Sequence, residues 1–245
     1  MRPKLLDLFC GAGGCAMGYH RAGFDVVGVD IKPQPRFPFR FICHDAMTFL
    51  QDMMNGAEID GFRLREFRAI HASPPCQAFT SMKAMPNAGD HQDLLTPMRE
   101  MLSAQGRPWI IENVVGAPIT VGHATLFTDE CGVMLCGTMF GLNNGTHELR
   151  RHRLFESSAT LQQPACRHRL DVIGFYGGHA RTRQRTVAGN RGRGGDITGN
   201  ERKMPLVRDL MGIDWMIWDE AKLAIPPAYT EFIGKQLLMA ITKES

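Results

Sequence analysis

The chain has 245 residues, of which 44% are hydrophobic and 22% charged, and its formal net charge is +3. This composition allows a sizeable hydrophobic core and excludes a disordered chain. No apolar run approaches the roughly 18 residues of a membrane span and the first residues show no signal-peptide pattern, so we expect a cytoplasmic protein without membrane contact. The seven cysteines are scattered and form no Cys-x-x-Cys pair, so we predict neither a disulfide framework nor a metal site.

The first 30 residues predict a β-α-β unit. Residues 5–9 form an apolar run typical of a buried strand, and residues 10–14 form a glycine-rich turn. A helix then runs to about Ala22, where Gly23 ends it. A second apolar run ends in Asp30. This order predicts an α/β fold whose mostly parallel sheet binds ligands at the carboxyl ends of its strands.

The rest of the chain continues this alternation and then interrupts it. We predict a strand over 40–43, strands around Ile70 and Ile110, and a mobile loop over 78–92. Glycine and arginine dominate residues 157–203, where we expect little regular structure. The remaining predicted segments are helices over 47–54 and 93–105, a periodic segment over 205–211 and a final amphipathic helix over about 230–242.

The positive charge is concentrated in one segment. Residues 150–203 hold 12 lysines and arginines against four acidic residues, a net charge of +8, which leaves −5 on the rest of the chain. Such a segment is typical of proteins that bind a polyanion. A solvated basic loop without a partner is the alternative.

One cysteine lies where a nucleophile could act. Cys76 follows the predicted strand around Ile70, and Pro74 and Pro75 stiffen the turn that carries it. Glu112 ends the next strand, so a thiol and a carboxyl group can face one cleft. A partly desolvated carboxyl group can hold a proton and give it to a ring nitrogen. A purely structural Pro-Pro-Cys turn is the alternative.

The glycine-rich turn resembles a dinucleotide-binding fingerprint. Gly11 and Gly13 allow close approach of a ligand to the backbone, and Asp30 can accept hydrogen bonds from a pair of ribose hydroxyls. Asp7 and Asp45 add carboxylates at neighbouring strand ends, which suits a ligand with an amine or positive centre. The alternative is that the glycines serve only a tight turn.

Four motifs in order resemble the cytosine carbon-5 DNA methyltransferases. They are Asp-Leu-Phe-Cys-Gly-Ala-Gly-Gly at 7–14, Pro-Cys-Gln at 75–77, Glu-Asn-Val at 112–114 and Arg-His-Arg at 151–153. The resemblance implies a Rossmann-like S-adenosylmethionine-dependent methyltransferase fold with a small irregular target-recognition insert. It also implies methyl transfer from S-adenosylmethionine to carbon 5 of a cytosine flipped out of double-stranded DNA.

The resemblance assigns roles to particular residues. Cys76 adds to carbon 6 of cytosine, Glu112 engages the ring nitrogen and exocyclic amine, Arg153 holds the base and Arg151 assists. A solvated basic strand is the alternative for the arginines. The cofactor-binding residues expected are Asp7, Phe9, Gly11, Gly13, Asp30 at the ribose, Asp45 at the adenine, and Pro75.

The resemblance also implies where DNA binds. We expect a catalytic domain over 1–156, a basic target-recognition region over 157–203 and a return to the catalytic domain over 204–245. The protein is expected to act as a monomer on the DNA of a bacterial or phage-infected cell, since phage-encoded members are often this compact. The DNA-binding residues expected are Gln77, Ser81, Arg181, Arg183, Arg185, Arg191 and Arg193.

Two features depart from the family pattern. Residues 222–227 lack the asparagine that usually precedes the final helix, which puts one cofactor contact in doubt, and the recognition region is short. Three other functions stay open: the same chemistry on transfer RNA or on a free cytosine nucleotide, a nonenzymatic nucleic-acid-binding protein, and a nicotinamide-dependent oxidoreductase. The oxidoreductase leaves Pro-Cys-Gln and Glu-Asn-Val unexplained.

Overall fold

The computed structural model contains a central β-sheet with helices on both faces. The structure describes residues 1–76, 79, 92–119, 121, 131–176, 179–184 and 194–243. Within these residues seven strands form the main sheet in the order β3-β2-β1-β4-β5-β8-β6, and the first five are parallel. The strands are β1 (Lys4–Leu8), β2 (Asp25–Asp30), β3 (Arg40–Cys43), β4 (Phe67–Ala72), β5 (Trp109–Val114), β6 (Cys131–Leu135) and β8 (Arg153–Ser157).

The two ends of the sheet differ in strand direction. Strand β8 lies between β5 and β6 and is antiparallel to both, with Glu112 opposite Phe155 and Val114 opposite Arg153. The parallel part confirms the α/β fold class expected from the sequence. The antiparallel part brings the segment after residue 150 back beside β5. Arg153 is paired with Val114, two residues along β5 from Glu112, so their side chains can meet.

Alternating side chains of the strands build two cores. On β1, Leu6 and Leu8 face one set of helices, whereas Leu5 faces the other, as the two-residue period of a strand requires. The first core packs against α2 (Ala46–Met54) and α3 (Leu95–Ala104). The second packs against α1 (Gly14–Ala22) and α6 (Pro227–Lys243).

A second, smaller sheet occupies the region where we expected little regular structure. Among the described residues it has four strands in the order β11-β10-β9-β7. Ile173 and Phe175 on β9 and Ala180 on β10 are buried. The surrounding glycines and arginines obscured this alternation of buried and exposed residues in the sequence. The strands are β7 (His147–Leu149), β9 (Asp171–Tyr176), β10 (His179–Arg183) and β11 (Asp196–Ile197).

The C-terminal helices begin earlier than the sequence suggested. Helix α4 (Asn200–Met211) contains Pro205 inside it, and α6 begins at Pro227 rather than near residue 230. Pro227 is the first residue of α6, where proline is well tolerated because its missing N–H has no partner there, whereas Pro205 is the sixth residue of α4. A short helix α5 (Trp218–Ala221) connects the two. No helix in the described part of the chain is long and apolar enough to cross a bilayer.

Close packing of α1 on α6 depends on a residue without a side chain. A Cβ at Gly18 would lie 2.7 Å from the Glu231 nitrogen and nearer still to the Thr230 hydroxyl. The same hydroxyl donates to the Cys15 carbonyl at 2.9 Å. The two helices therefore touch backbone to backbone behind the glycine-rich turn.

We expect Gly18→Ala to destabilise the fold by about 1 to 3 kcal/mol, because the overpacking penalty exceeds the gain in helix propensity. The free energy of unfolding in urea measures this. Gly195→Ala is the control, since a Cβ there would meet the Thr182 hydroxyl only at 3.7 Å. Equal or greater stability of the Gly18 variant would contradict the packing described.

Candidate active site

The turn after β4 carries Cys76 and is fixed by backbone hydrogen bonds. The Ser73 N–H donates to the Leu8 carbonyl at 3.1 Å, and the Phe79 N–H donates to the Cys76 carbonyl at 2.9 Å. The buried Asn113 amide donates to the Pro74 carbonyl at 3.0 Å. The asparagine of Glu-Asn-Val therefore holds the cysteine turn in place, a role that the sequence did not indicate.

Glu112 and Arg153 face each other beside this turn. The Arg153 Nε lies 3.1 Å from the Glu112 carboxylate. Glu112 is buried, and burial raises its carboxyl pKa although Arg153, a hydrogen bond from Ser73 and Arg151 oppose the rise. The carboxyl group is therefore easier to protonate than an exposed glutamate.

Cys76 is half-buried and belongs to the same electrostatic group. Burial raises the pKa of its thiol, the Arg153 charge lowers it, and the Glu112 charge raises it again. The free protein consequently holds a protonated thiol at neutral pH, so the nucleophile must lose its proton when it attacks.

Arg151 is arranged differently from Arg153. Its guanidinium donates to the Phe175 carbonyl at 2.6 Å and to the Lys222 carbonyl at 3.0 Å, and its own carbonyl accepts from the Tyr229 hydroxyl at 2.7 Å. Burial and the nearby Arg153 charge lower its pKa to about 9. These contacts join the small sheet, the turn before α6 and the site. Because the guanidinium donates to backbone carbonyls, Arg151 acts on Cys76 and Glu112 through its charge.

A chain of buried polar groups lies behind Glu112. The Tyr19 hydroxyl is 2.9 Å from His71 Nδ1, and His71 Nε2 is 2.9 Å from the Ser73 hydroxyl. When the Ser73 hydroxyl donates to Glu112, a bond that lowers the pKa of that carboxyl group, it accepts from His71 Nε2, and His71 Nδ1 then accepts from Tyr19. His71 pairs with Asp7 across β1 and β4. Sequence reasoning missed Tyr19, His71 and Ser73 because their contacts join distant segments.

The glycine-rich turn and the end of β2 form a second group. The Asp30 carboxylate accepts from the Gly11 N–H at 3.0 Å and from the Lys32 N–H at 3.0 Å, one bond to each oxygen. Phe9, Gly11 and Gly13 all have positive φ, so the backbone coils tightly here. A left-handed conformation at a residue other than glycine costs of order 1 kcal/mol and is common at functional sites.

The other predicted cofactor residues have mixed surroundings. Asp7 is fully buried, and neither of its oxygens accepts a hydrogen bond of normal geometry among the described residues. Burial and the charges of Asp30 and Glu112 raise its pKa, which the nearby Ala16 N–H offsets in part. Asp45 caps α2, because its carboxylate accepts from the Thr48 N–H at 2.8 Å. Pro75 is exposed beside Cys76.

The predicted DNA-binding residues are only partly described. Arg181 and Arg183 lie on one face of β10, opposite to the buried Ala180, and Arg181 is 3.9 Å from the Asp196 carboxylate. The remaining ones, Gln77, Ser81, Arg185, Arg191 and Arg193, lie outside the described residues, as does most of the predicted loop over 78–92.

Comparison with solved protein structures supports the fold described above. The fold is similar to that of two solved methyltransferases, of which the first is the Dnmt2 methyltransferase of S. pombe (TM-score 0.54, 11% identity, 98% of this chain and 99% of the other). The second is the methyltransferase EhMeth of Entamoeba histolytica (TM-score 0.53, 10% identity, 100% and 99%).

The sequence is similar to one family of methyltransferases in particular. Residues 3–118 match the family described as C-5 cytosine-specific DNA methylase. Type II methyltransferase M.XorII of Xanthomonas oryzae pv. oryzae is 26% identical over 250 residues, which cover 96% of this chain and 54% of the relative. The chain is therefore similar to the C-5 cytosine-specific DNA methylases over residues 3–118, and it spans about half the length of this curated relative. The family resemblance expected from the motifs is confirmed.

Burial of His71 makes the stability of the fold depend on pH. Burial lowers its pKa to about 3, whereas an unfolded histidine has a pKa of about 6.5, so the unfolded chain takes up the proton first as the pH falls. Stability is therefore lost below about pH 6.5, by about 2 kcal/mol at about pH 5. We expect His71→Gln to remove this loss, as measured by urea unfolding at about pH 7 and about pH 5.

The wild type must be compared with His71→Gln because Asp7 changes the stability with pH in the opposite direction. A raised carboxyl pKa contributes stability at low pH that is lost as the pH rises above the unfolded value. Asp7 is present in both proteins, so the difference between them isolates His71. Equal pH dependence of the two proteins would contradict a neutral, buried imidazole.

Proposed function

We propose that this protein transfers a methyl group from S-adenosylmethionine to carbon 5 of cytosine in DNA, with Cys76 as the nucleophile. The observation that carries the proposal is the meeting of a thiol, a buried carboxyl group and a guanidinium at three strand ends. Glu112 and Arg153 are 3.1 Å apart, and both act electrostatically on Cys76. The match of residues 3–118 to the C-5 cytosine-specific DNA methylases supports the same reaction.

The site can hold the cofactor at the carboxyl ends of β1, β2 and β3. Asp30 is fixed by two N–H donors and keeps a lone pair on each oxygen for vicinal hydroxyls. A Cβ at Gly11 would meet no described protein atom within 4 Å, so the backbone there borders open space. Bound S-adenosylmethionine would supply an electrophilic methyl group. We assign its binding to Phe9, Gly11, Gly13, Asp30 and Asp45, with Asp7 and Pro75 beside them.

Cys76 would add to carbon 6 of the cytosine ring. The thiol would give up its proton to water, its sulfur would form the new bond to carbon 6, and the electrons of the broken ring π bond would move toward the ring nitrogen N3. Glu112 would give its proton to N3, which its raised pKa favours. When carbon 5 has gained the methyl group, water would take its remaining proton, N3 would return its proton to Glu112, and the bond from carbon 6 to sulfur would break to regenerate the thiolate.

Arg153 serves two purposes in this account. Its charge lowers the pKa of Cys76 against the effect of burial, which makes the nucleophile less costly to form. Its Nε also orients the Glu112 carboxyl group. We propose that Arg151 positions the segment through the Phe175 and Lys222 carbonyls rather than touching the base.

A cytosine inside a duplex cannot reach Cys76, so the base must be flipped out. Flipping costs a few kcal/mol of unstacking, which contacts to the strand must recover. We propose that Arg181 and Arg183, on one face of β10, contribute phosphate contacts, together with Gln77, Ser81, Arg185, Arg191 and Arg193. The basic region over 157–203 would then be the DNA-recognition part of the protein.

DNA that contains 5-fluorocytosine tests the covalent step. Fluorine cannot leave carbon 5 as a proton does, so we expect a protein–DNA adduct that survives denaturation and forms only when S-adenosylmethionine is present. Long genomic DNA with the analogue incorporated provides every short target sequence at once. Peptide mass spectrometry should place the adduct on Cys76.

Two variants control this experiment. Cys76→Ala should form no adduct yet bind S-adenosylmethionine normally by calorimetry. Cys43→Ser removes an exposed cysteine other than the proposed nucleophile and should still form the adduct. An adduct on another residue, or one that persists in Cys76→Ala, would rule out the proposed nucleophile.

A further inference from the structure

Four metal-binding side chains meet near the site without belonging to it. They are Cys136, His152, Cys166 and His168, and their ligand atoms all lie within 4.8 Å of one another. Cys136 is buried and the other three are partly buried. None of them takes part in the methyl transfer proposed above.

The four residues come from three separate segments. Cys136 follows β6 and precedes a short 3-10 turn at Gly137–Phe140. His152 lies between the two arginines of the site, just before β8, and Cys166 and His168 lie in the connection from β8 to β9. Since these segments are not adjacent in sequence, the fold itself brings the four side chains together.

The distances fit a tetrahedral metal. A zinc ion with bonds of about 2.3 Å to sulfur and about 2.0 Å to nitrogen places its ligand atoms about 3.3 to 3.8 Å apart. The Cys166 sulfur lies 3.2 Å from His168 Nε2 and 3.5 Å from His152 Nε2. The Cys136 sulfur lies 3.9 Å from His168 Nε2. These separations match the expected ones without rearrangement of the backbone.

We propose that Cys136, His152, Cys166 and His168 bind one structural zinc ion. Two thiolates and two imidazoles favour zinc over magnesium or calcium, which prefer oxygen ligands. Four protein ligands leave no open position for water or substrate, which is typical of a structural site. The sequence argument against a metal rested on the missing Cys-x-x-Cys pair, and it could not detect ligands that the fold assembles.

The surroundings of the cluster complete the site. His168 would bind zinc through Nε2, which leaves its Nδ1 to donate. This Nδ1 is buried and has no hydrogen-bond partner among the described residues, but it lies 3.7 Å from the Glu148 carboxylate. The Thr138 hydroxyl lies 3.6 Å from the Cys166 sulfur. A carboxylate behind a ligating histidine is a common outer contact that fixes the ring and strengthens the bond.

A zinc ion here would tie the catalytic strands to the small sheet. His152 would hold the arginine segment from between Arg151 and Arg153, and Glu148 lies on β7 in the small sheet. The ion would therefore set where the proposed DNA-contacting strands sit relative to Cys76. This role is separate from methyl transfer and can be measured without it.

Metal analysis of the purified full chain is the first test. We expect about one zinc per chain after expression in zinc-containing medium, and a lower melting temperature after removal by a chelator, restored when zinc is added back. Cobalt in place of zinc should give the intense absorption bands of tetrahedral thiolate coordination. These measurements use the wild-type protein, so they do not depend on a variant that folds.

Variants then identify the ligands. We expect Cys166→Ser and His168→Asn to lose stoichiometric zinc, and Glu148→Gln to lower zinc affinity by about 10- to 100-fold because it removes the outer contact. Cys43→Ser, which removes an exposed cysteine outside the cluster, should bind zinc normally. Zinc that stays stoichiometric in Cys166→Ser would overturn the assignment.

Two outcomes in the wild type would overturn the proposal itself. One is trace zinc with no tetrahedral cobalt spectrum and a melting temperature that the chelator does not change. The other is a disulfide between Cys136 and Cys166, seen as an intact mass lighter by two hydrogens under nonreducing conditions. Either result would show that the cluster serves another purpose.

Discussion

The buried carboxyl group of Glu112 next to the guanidinium of Arg153 governs the chemistry of this site. An isolated carboxylate in a protein interior costs several kcal/mol, so it either finds a cation or takes up a proton. Here both influences operate: Arg153 lies 3.1 Å away, yet the pKa remains raised. The Glu112 carboxyl group can therefore give a proton to a nucleobase and take it back, while Arg153 stabilises the charged carboxylate. The antiparallel pairing of β5 and β8 makes this contact possible.

The same contact explains why the neighbouring polar groups are arranged as they are. Ser73 donates to Glu112, and a neutral His71 and Tyr19 support Ser73 from behind. A protonated His71 would place a second buried cation in this network, and burial lowers its pKa enough to prevent that. Glu112 is therefore oriented from both sides, by Arg153 in front and by Ser73 behind, before any substrate binds.

Much of this could be predicted from local sequence. The run from Leu5 to Asp30 predicts its β-α-β unit because apolar periodicity and glycine punctuation act within a few residues. Cys76 and Glu112 were predicted as strand-end residues for the same reason, and the structure places Cys76 four residues after β4 and Glu112 two residues before the end of β5. The predicted division into three domains and the roles of the individual site residues stay predictions.

What the sequence could not predict depends on contacts between distant segments. The antiparallel insertion of β8 decides which residue meets Glu112, yet no local pattern encodes strand order. Tyr19 and His71 are 52 positions apart, and their bond follows only from packing α1 on the sheet. The cluster around Cys136 and His168 has the same origin. Its ligands lack a recognisable spacing because strand pairing, rather than a single loop, brings them together.

Nucleoside analysis after the reaction tests the central claim most directly. The protein is incubated with S-adenosylmethionine and, separately, with unmethylated duplex DNA and with RNA, and each polymer is digested to nucleosides for mass spectrometry. The account predicts 5-methyl-2′-deoxycytidine in the DNA with the wild-type protein and none with Cys76→Ala. Methylation of RNA alone, a methyl group on a nitrogen of cytosine, or equal product from the Cys76 variant would contradict it.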